Sequence, residues 1–258
     1  MSTESPPYSK LAIIYDQMGQ DRHSKDMVLY TRELFDRLGF QPRDGLDLCC
    51  GTGTALALLD DMGYGMSGLD GSAAMLTVAA RKLKGRGIQL YHKQLPRFRL
   101  LDDDDSSRRR RFDFVTSFYD SLNYLMAASD LEAAFRSVRS HLRPGGLFVF
   151  DMNTPRALQV IWDEQVYADS CDDIAWVWKN EYDPKRRVAA CYATCFYRKG
   201  SAWRRFDEVH RERGYENEQI ARLLKRAGFR IRGFYKCGTF RRPGPKTYRI
   251  AVVAQRPK

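Results

Sequence analysis

"LDLCCGTGT", Leu46 to Thr54, is the stretch on which the fold turns. An apolar run ends in two glycines one residue apart, Gly51 and Gly53, and a helical pattern, "TALALLDDMG", follows at once. Strand, glycine turn and helix together make the ligand crevice of an open α/β sheet, at the carboxyl ends of its strands. A dinucleotide fold needs a third glycine three residues after the second, so that the helix can close on the strand beneath a pyrophosphate. Leu56 stands at that position. No Lys-Ser/Thr pair follows either, which excludes a phosphate-gripping loop. The ligand therefore comes close to bare backbone at Gly51–Gly53 without needing phosphates. The next strand-like run ends in "GLDGS" on Asp70. A carboxylate there can accept hydrogen bonds from the two hydroxyls of a ribose, or serve as an ordinary strand-end turn residue.

Outward from this stretch, apolar periodicity alternates between strand and helix. Ser24 is a candidate N-cap for a helix carrying Met27, Tyr30, Thr31, Leu34, Phe35 and Leu38, with Gly39 as its stop. "GLDLCC", "YGMSGLD", "GIQLYHKQ", "FDFVTSFYD" and "GLFVFDMN" read as strands. Between them lie helices capped by Ser72 and Ser129, the second ending at "RPGG". Repeated β–α alternation predicts a Rossmann-like, doubly wound and mostly parallel sheet of seven strands. "DIAWVWKNEYD", "VAACYATCFYRK" and "AWRRFDEVHRER" then follow as consecutive strands, a small antiparallel β subdomain inserted into the α/β core. Asn217 caps "EQIARLLKRAG", and two strands close the chain. The division read from the sequence is a cover segment and helix over 1–42, a core over 43–154, the insert over 155–212 and a completing unit over 213–258.

Composition narrows the class. Apolar residues make up 43% and charged residues 29% of 258, as in an ordinary globular protein. No run is long enough to span a membrane and "MSTESPPYSK" lacks a signal-peptide core, so a cytoplasmic location is expected. The six cysteines form no C-x-x-C pair and read as free buried thiols; the four histidines lack ligand spacing, and no metal is expected. The net charge of +11 comes entirely from residues 201–258, with 16 basic against 5 acidic side chains; residues 1–200 carry 27 of each. Aromatic residues do not interleave with that basic region as a stacking platform would need, which argues against nucleic acid as partner. "DDDDSSRRRR", 102–111, reads as an exposed loop.

Taken in order, "LDLCCGTGT", "GLDGSAAML", "FDFVTSFYDSLNYL" and "LRPGGLFVFDMNTP" resemble the class I S-adenosylmethionine-dependent methyltransferases. The late insert and "RFDEVHRERGYENEQIARLLKRAGF" are most similar to bacterial small-molecule enzymes of the amino-sugar N-methyltransferase kind. The resemblance implies S-adenosylmethionine as cofactor and S-adenosylhomocysteine as product. It implies that Cys49, Gly51, Thr52 and Gly53 pack beneath the methionyl part and that Asp70 and Gly71 hold the ribose. Met75, Gln94 and Leu95 would then meet the adenine, with Gln94 standing where the family usually has an acidic residue. Phe118 and Tyr119 would line the cofactor at the fourth strand's end. Tyr15, in the N-terminal "YDQMGQDRHSKD", would lie nearest the sulfonium. Met27 follows Lys25-Asp26 where the amino-sugar enzymes carry an aromatic residue, and Tyr30 comes one turn later.

Methyl transfer from a sulfonium requires positioning and exclusion of water, and a base only if the acceptor arrives protonated. Candidate catalytic residues are Tyr15, Asp120 and His210. Asp151, Asn153, Trp176 and Trp178 are further candidates for acceptor contacts. His210 alternates with Phe206 and Glu208, and a sheet histidine is as readily a satisfied structural residue. "SFYDS" stands where base-amino methyltransferases carry Asn/Asp-Pro-Pro-Tyr, and there is no Pro-Cys. The expected activity is methylation of an N or O nucleophile of a small molecule, by a monomer or homodimer. Methylation of RNA or protein, and a non-catalytic binding module, are the alternatives.

Overall fold

The computed structural model describes residues 5–102 and 104–258. Its centre is a seven-stranded sheet in the order β10-β11-β5-β4-β1-β2-β3. The strands are β1 (Asp44–Leu48), β2 (Gly65–Asp70), β3 (Gln89–His92), β4 (Phe112–Ser117), β5 (Leu142–Asn153), β10 (Arg230–Lys236) and β11 (Arg249–Gln255). β1 to β5 pair in parallel, and β11 runs antiparallel between β5 and β10. The chain leaves β1 in one direction towards β3 and returns to β4 on its other side. That reversal puts the crevice of an open sheet beyond Leu48 and Ser117.

Helices cover both faces, which is why the strands read as unbroken apolar runs rather than alternating ones. α1 (Arg22–Leu38), α2 (Thr54–Asp61) and α3 (Ala73–Lys82) bury Phe35, Leu56, Leu59 and Ala79 against Phe114, Val149 and Val253. α4 (Ala128–His141) and α6 (Asn217–Arg226) bury Leu131, Phe135, Ile220 and Leu224 against Phe148, Phe150 and Val252. Ser72 caps α3 by accepting the Met75 N–H at 3.2 Å, and Gly39 ends α1 with φ +59°. The other expected caps differ. Ser24, Ser129 and Asn217 lie inside their helices, which start earlier and carry no side-chain cap bond. α4 stops at His141 and β5 starts at the next residue, so Arg143–Gly146 forms the irregular head of the strand.

Leu56 in place of a third glycine has a compensating partner. A Cβ on Gly68 of β2 would lie 2.5 Å from Leu56 Cδ1, so the bare residue that lets α2 close on the sheet sits on the strand.

The insert is a four-stranded antiparallel sheet, β6-β7-β8-β9, preceded by the short helix α5 (Pro155–Ile161). β7 (Ile174–Asp183), β8 (Val188–Lys199) and β9 (Ala202–Arg213) are the expected meander. β6 (Val166–Cys171) is an addition: every residue in it is exposed, so it carries no apolar alternation. All six cysteines are free, but only Cys50, Cys191 and Cys195 are buried; Cys49 and Cys237 are half-buried and Cys171 is exposed. One face of the insert, with Trp176, Cys195 and Phe206, packs on Leu11, Ile14 and Met18 of the N-terminal segment. No helix among the described residues is long and apolar enough to cross a membrane.

Candidate active site

The glycine turn is left-handed at three places: Cys49 (φ +59°), Gly51 (φ +54°) and Gly53 (φ +82°). Gly53 is a packing residue, because a Cβ there would lie 3.0 Å from Leu83 Cδ1. Gly51 faces open space and donates its N–H to Asp70 Oδ2 at 2.8 Å, while Ser72 N–H donates to Asp70 Oδ1 at 2.7 Å. Each carboxylate oxygen is thus fixed by one backbone donor and keeps a lone pair free. Burial raises the pKa of Asp70, against the pull of those N–H groups.

Beyond this turn lies a cavity of about 720 Å³. From the strand ends, Cys49, Gly51, Thr52, Asp70 and Gly71 line it. Met75, Gln94 and Leu95 line one side, Phe118 and Tyr119 another, and Tyr15 closes it from the N-terminal segment. Of the residues expected at the cofactor, Gly53 alone stays out of the wall. Gln94 Nε2 donates to the Gly71 carbonyl at 2.9 Å, which leaves its side-chain oxygen free to accept. A carboxylate with spare lone pairs, bare backbone and a free amide oxygen suit a ligand carrying hydroxyl and amino groups. The donor set therefore fits an adenosyl cofactor.

A second cavity, about 630 Å³, opens between the core and the insert. Four tyrosines, Tyr8, Tyr15, Tyr119 and Tyr124, belong to both walls. Burial pushes the phenols of Tyr8, Tyr15 and Tyr124 well up, so they stay neutral. Tyr8 and Tyr124 hydroxyls meet at 2.7 Å, and Tyr124 Oη lies 2.9 Å from His210 Nδ1. Tyr30, by contrast, stacks on Phe240 at 4.8 Å and reaches neither cavity.

The insert's contribution comes from the inward face of β9. Phe206, Glu208, His210 and Glu212 are each at most 6% exposed. Glu208 accepts the N–H groups of Tyr8 at 2.8 Å and Leu11 at 3.1 Å, and that of Lys10 as well. Burial pushes its pKa up, but the nearby His210 imidazole and those N–H groups outweigh it and hold the carboxyl below its usual range. In effect a strand from the far end of the chain caps the 3-10 turn Leu11–Ile13. On the core side, Asp16 ties the same segment to Thr52 Oγ1 at 2.6 Å and Lys82 Nζ at 2.7 Å.

Asp120 and Asn153 line the second cavity, with Trp176 and Trp178 opposite. Arg249 Nη2 donates to Asp120 Oδ2 at 2.5 Å and Nη1 to Asp151 Oδ2 at 2.6 Å. Asp151 is buried behind this pair, accepts the Tyr119 N–H at 2.7 Å and is 3.2 Å from His23 Nε2. Burial alone would raise Asp151; Arg249 and His23 outweigh it and hold the carboxyl at about 2. Cys237 completes a trio with His23 and Asp151, but the Arg249 guanidinium already supplies the cation there. One basic residue of the charged C-terminal region is therefore spent inside the protein.

Tyr124, Asn180, Glu208, Glu212 and Arg249 escaped the sequence reading. The available signal was β9 itself, where acids share the inward face with Phe206.

A methyltransferase domain family matches residues 46–146. The Bacillus subtilis (strain 168) methyltransferase-family protein YqeM is 30% identical over 213 residues, 83% of this chain and 84% of that one. An S-adenosylmethionine-dependent methyltransferase from Clostridium acetobutylicum ATCC 824 superposes with a TM-score of 0.84 at 28% identity, covering 98% of this chain and 100% of that one. The dTDP-3-amino-3,6-dideoxy-alpha-D-glucopyranose N,N-dimethyltransferase of Streptomyces fradiae is 31% identical over 148 residues, 55% of this chain and 52% of its own length. With a glycine turn, a strand-end carboxylate and a seven-stranded sheet whose last pair is antiparallel, the chain belongs to the class I S-adenosylmethionine-dependent methyltransferases.

Proposed function

We propose that the enzyme methylates a nitrogen nucleophile of a small polar molecule held in the second cavity. The observation that carries this is the shared wall: two cavities, each within the size range of small-molecule sites, meet at Tyr8, Tyr15, Tyr119 and Tyr124. S-adenosylmethionine, when bound, supplies a methyl group already activated on a sulfonium. The first cavity is its site, with Asp70 on the ribose, Met75, Gln94 and Leu95 around the adenine, and Cys49–Thr52 under the methionyl part. Tyr15, common to both walls, is the residue assigned beside the methyl. Neutral tyrosines exclude water from the junction without adding charge, and positioning supplies most of the acceleration. Asp120, held by Arg249 and Asn153, and His210, held by Tyr124, face the acceptor.

Nitrogen is favoured because the acceptor cavity is rich in carboxylate, and the Streptomyces fradiae relative is an N,N-dimethyltransferase. A chamber of about 630 Å³ closed by the insert suits a free molecule better than a nucleotide within a chain. Apart from residues spent inside the protein such as Arg249, the basic C-terminal region is assigned to solvent. The test is transfer of labelled methyl to panels of small amines, small alcohols, RNA and protein. Label on amines is expected; label on RNA or protein alone would overturn the proposal. Trp178→Ala should abolish transfer while S-adenosylhomocysteine still binds, because that side chain lines the second cavity only.

A further inference from the structure

The second cavity is lined by buried polar atoms without a hydrogen-bond partner in the protein: the Asn180 Oδ1 acceptor, the Trp178 Nε1 donor and His210 Nε2. Asn180 is 4% exposed and His210 5%, and both Asn180 Oδ1 and His210 Nε2 lack a hydrogen-bond partner. His210 Nε2 lies 3.3 Å from Glu208 Oε2, out of line for a bond. These two side chains stand in register across the insert, Asn180 opposite Cys191 and Cys191 opposite His210. Glu212 follows two residues on, on the same face and 2% exposed. Its Oε2 accepts from Asn153 Nδ2 at 2.8 Å, and the same amide reaches Asp120 Oδ2 at 2.7 Å. Arg249, the cation of this cavity, is committed to Asp120 and Asp151. A buried amide oxygen and a carboxylate without its own cation call for a ligand that brings hydrogen-bond donors and positive charge.

We propose that Glu212 is a catalytic residue, the group that takes the proton of an acceptor entering as an ammonium ion, with Asn153 positioning it. This rests on the nitrogen-nucleophile reading above. Burial and Asp120 push the Glu212 carboxyl well up, so it gives its proton to water as R–NH3⁺ enters; the pair then exchanges a proton, leaving R–NH2 and the neutral acid. In a dry cavity that exchange is favoured, because it removes two buried charges. The freed lone pair forms the N–C bond as the methyl's C–S bond breaks, and that electron pair leaves with the sulfur. The product is a methylammonium ion, and Glu212 loses its proton to water when the cavity opens. Every group facing Glu212 fits this role. Asp120 beyond β4 and Asp151 on β5 raise its proton affinity together with burial, while Arg249 on β11 and the Asn153 amide lower it. Burial keeps Tyr119, Tyr124 and the Cys191 thiol of β8 neutral, and His210 is engaged through Nδ1.

The experiment compares kcat/KM against pH for probe amines of differing basicity, cyclohexylamine and glucosamine among them. In the wild type the plateau should begin at one pH for all probes, below the pKa of the more basic amines, because an enzyme group sets it. In Glu212→Gln the rate should climb about tenfold per pH unit up to each amine's own pKa. With cyclohexylamine the deficit of that variant should exceed about 100-fold at neutral pH, with the less basic glucosamine it should be under about tenfold, and in both cases it should vanish above the amine's pKa, with Glu212→Asp restoring the plateau. A second readout is independent of turnover. Nitrogen-15 cyclohexylamine bound to the wild-type S-adenosylhomocysteine complex should show the shift of a neutral amine at a pH where the free probe is ammonium. A wild-type onset that follows each amine's pKa, a deficit constant with pH, or an ammonium shift in the complex would overturn the role of Glu212 alone. Transfer to alcohols and to no amine would overturn the nitrogen reading, and this role with it.

Discussion

Asp70 is the residue on which the cofactor assignment stands or falls. Its Oδ2 holds Gly51 N–H at 2.8 Å and its Oδ1 holds Ser72 N–H at 2.7 Å, so each oxygen keeps one lone pair for a ligand hydroxyl. Removing the carboxylate strands those hydroxyls in a site the ligand itself seals. That loss costs about 1–3 kcal/mol, or roughly 5- to 150-fold in Kd. Fold stability should change less. Asp70→Ala loses two backbone bonds but also removes the burial penalty that raises the Asp70 pKa. Asparagine should do little better than alanine, since its amide nitrogen would face one of two N–H donors. Calorimetry with S-adenosylhomocysteine on wild type, Asp70→Ala and Asp70→Asn measures this directly. Affinity in the wild type should also weaken as pH falls through the raised pKa, where the carboxyl protonates and stops accepting from both hydroxyls. Unchanged affinity in a folded Asp70→Ala protein would refute the ribose assignment.

Gly53→Ala should lower stability by about 1–3 kcal/mol, from the left-handed φ and the 3.0 Å approach to Leu83, with affinity for S-adenosylhomocysteine unchanged in the folded fraction. Urea unfolding beside calorimetry checks both halves. His141 accepts the Leu100 N–H at Nε2 and meets the Ser137 carbonyl through Nδ1, and burial lowers its pKa to about 4. A histidine held neutral stabilises the fold fully above its unfolded value near 6.5, and loses that contribution as pH falls towards 4. The loss is at most about 3 kcal/mol, and His141→Gln should flatten the urea midpoint over that window; an equal slope in both proteins would refute it. Glu208→Ala should free the N-terminal segment from the insert. S-adenosylhomocysteine affinity should then drop about tenfold or more, and proteolysis near residues 8–18 should quicken; neither change would mean that Asp16 and Lys82 hold the segment unaided.

How much of this was legible in the sequence depends on where each residue's partners lie. The glycine turn and Asp70 are neighbours along one β–α–β unit, so spacing alone brings Gly51 to Asp70. The central strands are buried on both faces, and their apolar runs show it directly. β6 could not be read because none of its residues is buried, and hydropathy is the only signal a short strand carries. Ser129 and Ser24 look like caps, yet their helices begin upstream on backbone geometry without a side-chain bond. The charge count misled in a different way. Arg249 belongs to the basic C-terminal region by sequence but to Asp120 and Asp151 by structure.

The proposed acceptor site was the least legible because it is built from separations no local pattern records. Glu208 bonds to residues some two hundred positions away, and Asn153 links Asp120 of the core to Glu212 of the insert. One regularity did announce it. From Phe206 to Glu212 every second residue turns inward, and two of those four are acids. An inward face normally excludes carboxylates, since burying one without a partner costs more than a strand's packing returns. Two acids on such a face therefore have to be answered. Glu208 is answered by the backbone of the N-terminal segment. Glu212, without a cation of its own among the described residues, is answered in part by Asn153, and the rest falls to whatever the cavity binds.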